Sequence, residues 1–118
     1  MSAAAAGQRL GDPLSAVGRG HAAALHVLGA AGIRDRAARF VDVAGEVDWL
    51  RLELAAGQWS YGDWLLVCAA HDLDEGTATA GLRRLCATLA PAALRRVVEA
   101  LLLLRPDAAP GPGGGRVG

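Results

Sequence analysis

Along most of this chain apolar side chains return every third or fourth position, the spacing of one face of a helix. Leu14, Val17, His21, Leu25 and Leu28 follow this spacing after Asp12-Pro13. There the aspartate can cap and the proline suits the first helical position. Gly18 and Gly20 weaken this helix, each by about 1 kcal/mol against alanine. Gly29 and Gly32 can end it. A second helix is expected from about Arg34 to Ala44, with Ile33, Ala37, Phe40, Val41 and Ala44 inward. Arg34, Asp35, Arg36, Arg39 and Asp42 then face outward. A third runs from Glu46 to Ala56, with Val47, Leu50 and Leu54 on one side and Gly57 as a stop. Only Gly45 separates these two, so residues 33–56 form one helix or two.

The fourth helix carries the strongest local signal. Ser60 can cap it, Asp63 stands three residues later as in a capping box, and Trp59 and Trp64 occupy the staple positions. The run Trp64 to Ala70 is apolar all round, which predicts a central helix covered by its neighbours. Asp72 to Thr79 reads as a turn, and His71 as a helix-end residue favoured by the C-terminal dipole. Thr77 or Thr79 can cap a fifth helix, with Leu82, Leu85, Cys86 and Leu89 inward and Arg83 and Arg84 outward. Pro91 opens a sixth, lined inside by Leu94, Val97, Val98, Leu101 and Leu102; Arg95, Arg96 and Glu99 lie outside, and Pro106 ends it. No segment shows the two-residue alternation of a half-buried strand. The expected fold is all-α: a small orthogonal or up-down bundle of five to six short helices.

Residues 12–105 make the helical domain. Residues 1–11 and the Pro/Gly-rich residues 106–118 read as disordered tails, too poor in apolar surface to offset the entropy of ordering them. At 118 residues there is room for one domain, and no internal repeat is seen. The hydrophobic fraction of 53% is ample, but much of it is alanine, so the core rests on the larger residues between Leu25 and Leu104.

Charge and composition narrow the function more than motifs do. Twelve acidic residues balance twelve basic ones, which argues against a protein built on wholesale phosphate neutralisation. Zero net charge also favours a partner or self-association. Every basic residue is arginine, and with the alanine and glycine load this points to GC-rich codon usage, as in a high-GC bacterium. Cys68 and Cys86 are too few for a disulfide framework and read as reduced, buried thiols of a cytoplasmic protein. Met1 to Leu10 lacks a signal-peptide pattern, and the longest apolar runs, Trp64 to Ala70 and Ala100 to Leu104, are too short to span a bilayer; no membrane contact is expected.

No constellation carries chemistry. Cys68 and His71 share a helix face, but with Cys86 they give an incomplete zinc set. Asp72-Leu73-Asp74-Glu75-Gly76 resembles the opening of a calcium loop, yet Thr77 and Arg83 stand where glycine and glutamate are needed. Neither cysteine sits in a nucleophile signature, and Gly113 to Gly115 precede no helix. No catalytic residue, metal or cofactor is assigned. Trp49, Trp59, Tyr61 and Trp64 cluster within sixteen residues. Trp59 and Tyr61 with Arg51 and Arg39 form a candidate protein interface. The expected function is therefore a non-enzymatic adaptor or regulatory module that binds another protein or itself. The alternative is a helix-turn-helix regulator in which the helix around residues 80–89 offers Arg83 and Arg84 to DNA. Arg95, Arg96 and Arg105 would add phosphate contacts. Asp72, Asp74 and Glu75 in the joining turn oppose it.

Overall fold

The computed structural model describes residues 16–106. The expected helix start at Asp12-Pro13 lies outside the described residues, as do both expected tails apart from Pro106. Six helices are described: α1 (Ala16–Leu28), α2 (Arg34–Ala38), α3 (Trp49–Ala56), α4 (Tyr61–Glu75), α5 (Leu82–Thr88) and α6 (Pro91–Leu103). Among the described residues the only pairing of extended backbone is an isolated antiparallel bridge between Val41 and Val47. The all-helical expectation holds.

Helix α4 is the central element. Its residues Leu65 to Ala70 are all buried, and α1, α3, α5 and α6 all pack on it. Ser60 caps it as expected: its Oγ accepts from the Asp63 amide at 3.1 Å. The Asp63 carboxylate is engaged elsewhere, accepting from Arg36 Nη2 at 2.7 Å and so tying α2 to the start of α4. The broadest packing is between α1 and α4. Ala23 and Ala24 are fully buried there, and a Cβ on Gly20 would stand 2.6 Å from the Leu73 carbonyl oxygen. Small residues set this close approach; Val27, Ile33, Leu52, Leu65 and Val67 fill the centre.

Residues 34–44 do not form one helix, and residues 33–56 are two helices rather than one. Helix α2 ends at Ala38, and the chain then doubles back through a tight turn. Asp42 Oδ1 accepts from the amides of Ala44 and Glu46, each at 2.9 Å, and Gly45 takes φ 86°, a left-handed value suited to glycine. The Asp48 amide returns to the Phe40 carbonyl at 2.8 Å. Asp48 then caps α3, accepting from the Arg51 amide at 3.2 Å. The inward face of α3 is consequently Trp49, Leu52 and Ala56, while Leu50 and Leu54 point to solvent and Val47 is half-buried.

Further differences follow from where α4 stops. It continues through His71 to Glu75 and ends at Gly76. Asp72, on its last turn, gathers the following loop: it accepts from the Thr77 and Thr79 hydroxyls and from the amides of Thr79 and Ala80. Neither threonine is therefore available to cap α5, whose N-cap position is Gly81 with no side-chain cap. In α5, Leu85 is buried, as is Leu89 just after the helix, but Leu82 and Cys86 are exposed. In α6, Val97 and Ala100 are buried and Leu94 is partly so, while Val98, Leu101 and Leu102 lie at the surface. Polar contacts fix that phase. Arg96 Nε donates to the His26 carbonyl at 2.6 Å, Glu99 meets His26 Nε2 at 2.8 Å, and Arg19 Nε donates to the Leu104 carbonyl at 2.9 Å. Arg96 and the His26–Glu99 pair thus face α1, so the more C-terminal leucines turn outward.

Candidate functional site

The four residues expected to form one docking patch fall into two groups. Trp59 and Tyr61 flank a shallow concavity with Trp64 and Gly57 at the head of α4. Tyr61 is 51% exposed and stacks on Trp64 with ring centroids 5.7 Å apart. Trp59 is half-buried beneath Arg36, whose guanidinium carbon lies 4.3 Å from the ring centroid. Arg39 and Arg51, both exposed, line a different concavity among Asp42, Glu46 and Asp48. The arginine that accompanies the aromatics is Arg36. Its reach to Asp63 and to the Gly32 carbonyl depends on the α2–α4 packing, which spacing along the chain does not display.

The arginines considered for DNA are also divided. Arg83, Arg84 and Arg95 are exposed, as is Arg105, but Arg96 is half-buried on the His26 carbonyl.

The polar cluster under α3 centres on His71. It lies inside α4, not at its end. Nδ1 meets Glu53 Oε2 at 2.5 Å and Nε2 meets Glu75 Oε1 at 2.9 Å. The Trp49 indole stacks on the imidazole at 4.7 Å and donates from Nε1 to Asp74 Oδ2 at 2.7 Å; the other Asp74 oxygen meets His21 Nδ1 at 3.3 Å. Burial opposes a charge on His71, but the two carboxylates outweigh it and raise its pKa above the ordinary value. The folded state therefore holds the proton more tightly than the unfolded chain does. This stabilisation is fully present below the ordinary value near 6.5 and fades as pH rises through the folded value. Urea unfolding at pH 6 and pH 9 (roughly spanning that window) should show a loss for the native chain that His71→Gln largely lacks. Equal losses in both would remove His71 from the account.

The two thiols differ. Cys68 is buried, and burial first, then Glu53, pushes its pKa up to about 11. Cys86 is exposed, against expectation. In the folded protein a thiol-specific reagent should titrate Cys86 quickly and Cys68 only after unfolding. Rapid labelling of Cys68 would show that α4 is not covered as described. Among the described residues no group of three or more His, Cys, Asp or Glu side chains is arranged to hold a metal ion.

The most distinctive surface feature is apolar. Nine large apolar side chains are exposed among the described residues, and leucines form much of the set. Leu50 and Leu54, 72% and 69% exposed, stand one turn apart on the outer face of α3. Leu82, 71% exposed, and Leu101 border an apolar cleft of about 350 Å³ between α4, α5 and α6, floored by Ala69, Leu85 and Val97. Val98 and Leu102 are also exposed on α6.

The chain matches no protein-family model, no curated protein and no solved structure.

Charge is divided along the chain although the whole is neutral. Residues 16–75 hold five arginines against nine carboxylates, a formal charge of −4; residues 76–106 hold five arginines against Glu99 alone, giving +4. No helix of the described residues is long and apolar enough to cross a membrane.

Proposed function

We propose that this chain is a non-catalytic helical module that acts by binding protein, as an adaptor or regulatory subunit in a bacterial cytoplasm. One observation carries the reading: leucines on the outer faces of α3, α5 and α6 stand exposed, and two of them, Leu82 and Leu101, border an apolar cleft. Large apolar groups gathered in this way mark surfaces that another macromolecule covers. The groups best suited to chemistry are committed to structure. His71 has both ring nitrogens on carboxylates of its own chain, and the Cys68 thiol stays protonated in the interior. Tyr61 beside Trp64 adds an aromatic element of the kind enriched at interface hot spots.

The test is affinity capture from a nuclease-treated cell extract with the native chain, Leu54→Asp, Leu102→Asp and Tyr61→Ala. Each altered residue is at least half exposed, so the fold should survive, which far-UV circular dichroism would check. A stoichiometric protein retained by the native chain and lost with at least one variant supports the reading. Recovery unchanged by all three, or recovery of nucleic acid alone before nuclease treatment, overturns it.

A further inference from the structure

Beyond that reading, we infer that α3 is a proton-gated cover: it is clamped on α4 while His71 carries a proton and lifts from it when the imidazole is neutral. The two nitrogens of the His71 ring carry the argument. Nδ1 meets Glu53 Oε2 of α3 at 2.5 Å, and Nε2 meets Glu75 Oε1, one turn further along α4, at 2.9 Å. Each acceptor is a carboxylate, so both nitrogens must donate. Only the imidazolium has two N–H groups; a neutral ring turns a lone pair towards one carboxylate. Whichever tautomer forms, Glu53 loses a charged donor. The Trp49 ring, stacked 4.7 Å from the imidazole, loses a cation beside its face. The second polar tie of α3, from Trp49 Nε1 to Asp74 Oδ2 at 2.7 Å, belongs to the same cluster, because His21 of α1 meets the other Asp74 oxygen at 3.3 Å. The titratable groups around the clamp are thus Glu53 from α3, Asp74 and Glu75 from α4, and His21 from α1. A proton lost from His71 leaves the three carboxylates less balanced.

Helix α3 is also built to move as a short unit. Its buried residues are only Trp49, Leu52 and Ala56, and α4 is the helix it chiefly packs on. Both flanks are anchored elsewhere. The Gly45 turn lies against His21 and Leu25 of α1, and Trp59 is covered by Arg36. A helix with so few buried contacts opens at less cost than the core around it. With its pKa raised by the two carboxylates, His71 keeps the cover shut below the ordinary histidine value, and the cover opens as pH rises through the higher folded one.

Hydrogen exchange of the full-length chain tests this, read as protection factors so that the intrinsic rise of exchange with pH cancels. The α3 amides from Glu53 to Ala56 should be less protected at every pH than those of Leu65 to Ala70 in α4, because α3 opens on its own. Unfolding of the whole chain does not produce that gap. Between roughly pH 6 and pH 9, which spans the histidine range, α3 protection should fall by about fivefold, the difference between a charge-assisted and a neutral hydrogen bond. His71→Gln should abolish the fall and leave α3 poorly protected throughout. Glu75→Gln changes an exposed side chain outside α3, so the packing is kept. It removes one of the charges that hold the proton, and the midpoint of the fall should move to lower pH. Equal protection in α3 and α4 would mean that α3 leaves only when the whole fold does, and overturns the inference. A flat α3 profile in the native chain overturns it too, since Glu75 would then swing into water while α3 stays seated. So does a fall that survives His71→Gln, or a midpoint that Glu75→Gln leaves in place.

Discussion

Gly20→Ala should destabilise the protein by roughly 1–3 kcal/mol, even though alanine is the better helix former by about 1 kcal/mol. Gly20 is buried where α1 crosses α4, and an added Cβ would stand 2.6 Å from the Leu73 carbonyl oxygen. That oxygen is backbone and cannot swing aside, so the helices must part. Parting them loosens Ala23, Ala24 and the face of α4 beneath them, the most extensive packing in the molecule. Urea denaturation followed by circular dichroism measures the effect. Ala22→Gly is the useful comparison, because Ala22 is exposed on the same helix and should lose only about 1 kcal/mol of helix propensity. A Gly20→Ala protein as stable as the native chain would mean that the α1–α4 crossing is not this close.

The second large effect is expected at Asp72. One carboxylate organises the connection from α4 to α5 by accepting from two hydroxyls and two amides. Replacing it with alanine strands the amide of Ala80, a residue only 3% exposed, and that of Thr79. Hydrogen bonds to a charged acceptor are each worth more than neutral ones, and Asp72→Ala should destabilise by about 2–3 kcal/mol. Burial works against the charge on Asp72, but the bonds from Thr77, Thr79 and Ala80 outweigh it and lower its pKa. Its contribution is therefore complete above the ordinary carboxylate value near 3.8 and is lost as pH falls through the lower folded value. Native protein should lose stability in that acidic range more steeply than Asp72→Ala. Parallel losses would show that the carboxylate is not what holds the loop.

Much of this architecture can be read from the chain. The apolar run from Trp64 to Ala70 announces the central helix, Ser60 its start, and Pro91 the start of the last one. The break after Ala38 was not legible: Val41-Asp42-Val43 and Val47-Asp48-Trp49, either side of Ala44-Gly45-Glu46, are too short to register as strands. They lie within apolar spacing that also suits a helix, and local periodicity alone does not choose between the two.

The surface was harder to read for a different reason. Helix α3 carries two candidate stripes, Val47-Leu50-Leu54 and Trp49-Leu52-Ala56, and leucine content favours the wrong one. The choice is made by Trp49, which needs both the His71 ring and the Asp74 carboxylate, partners twenty or more residues away. In α6 the choice is made by Arg96 and Glu99 engaging His26. The exposed leucines that form the candidate site are thus the residue of decisions taken by polar groups elsewhere.

The bond from Arg19 to the Leu104 carbonyl has a topological meaning as well as an energetic one. It brings the first described helix and the last into contact at their outer ends, 85 positions apart in sequence. The described fold is therefore nearly a closed loop. A linker of a few residues could join those ends, and new termini could be opened in the exposed stretch Gly76–Ala78 with the helix packing kept. The order in which the chain visits its six helices is thus separable from the shape they build.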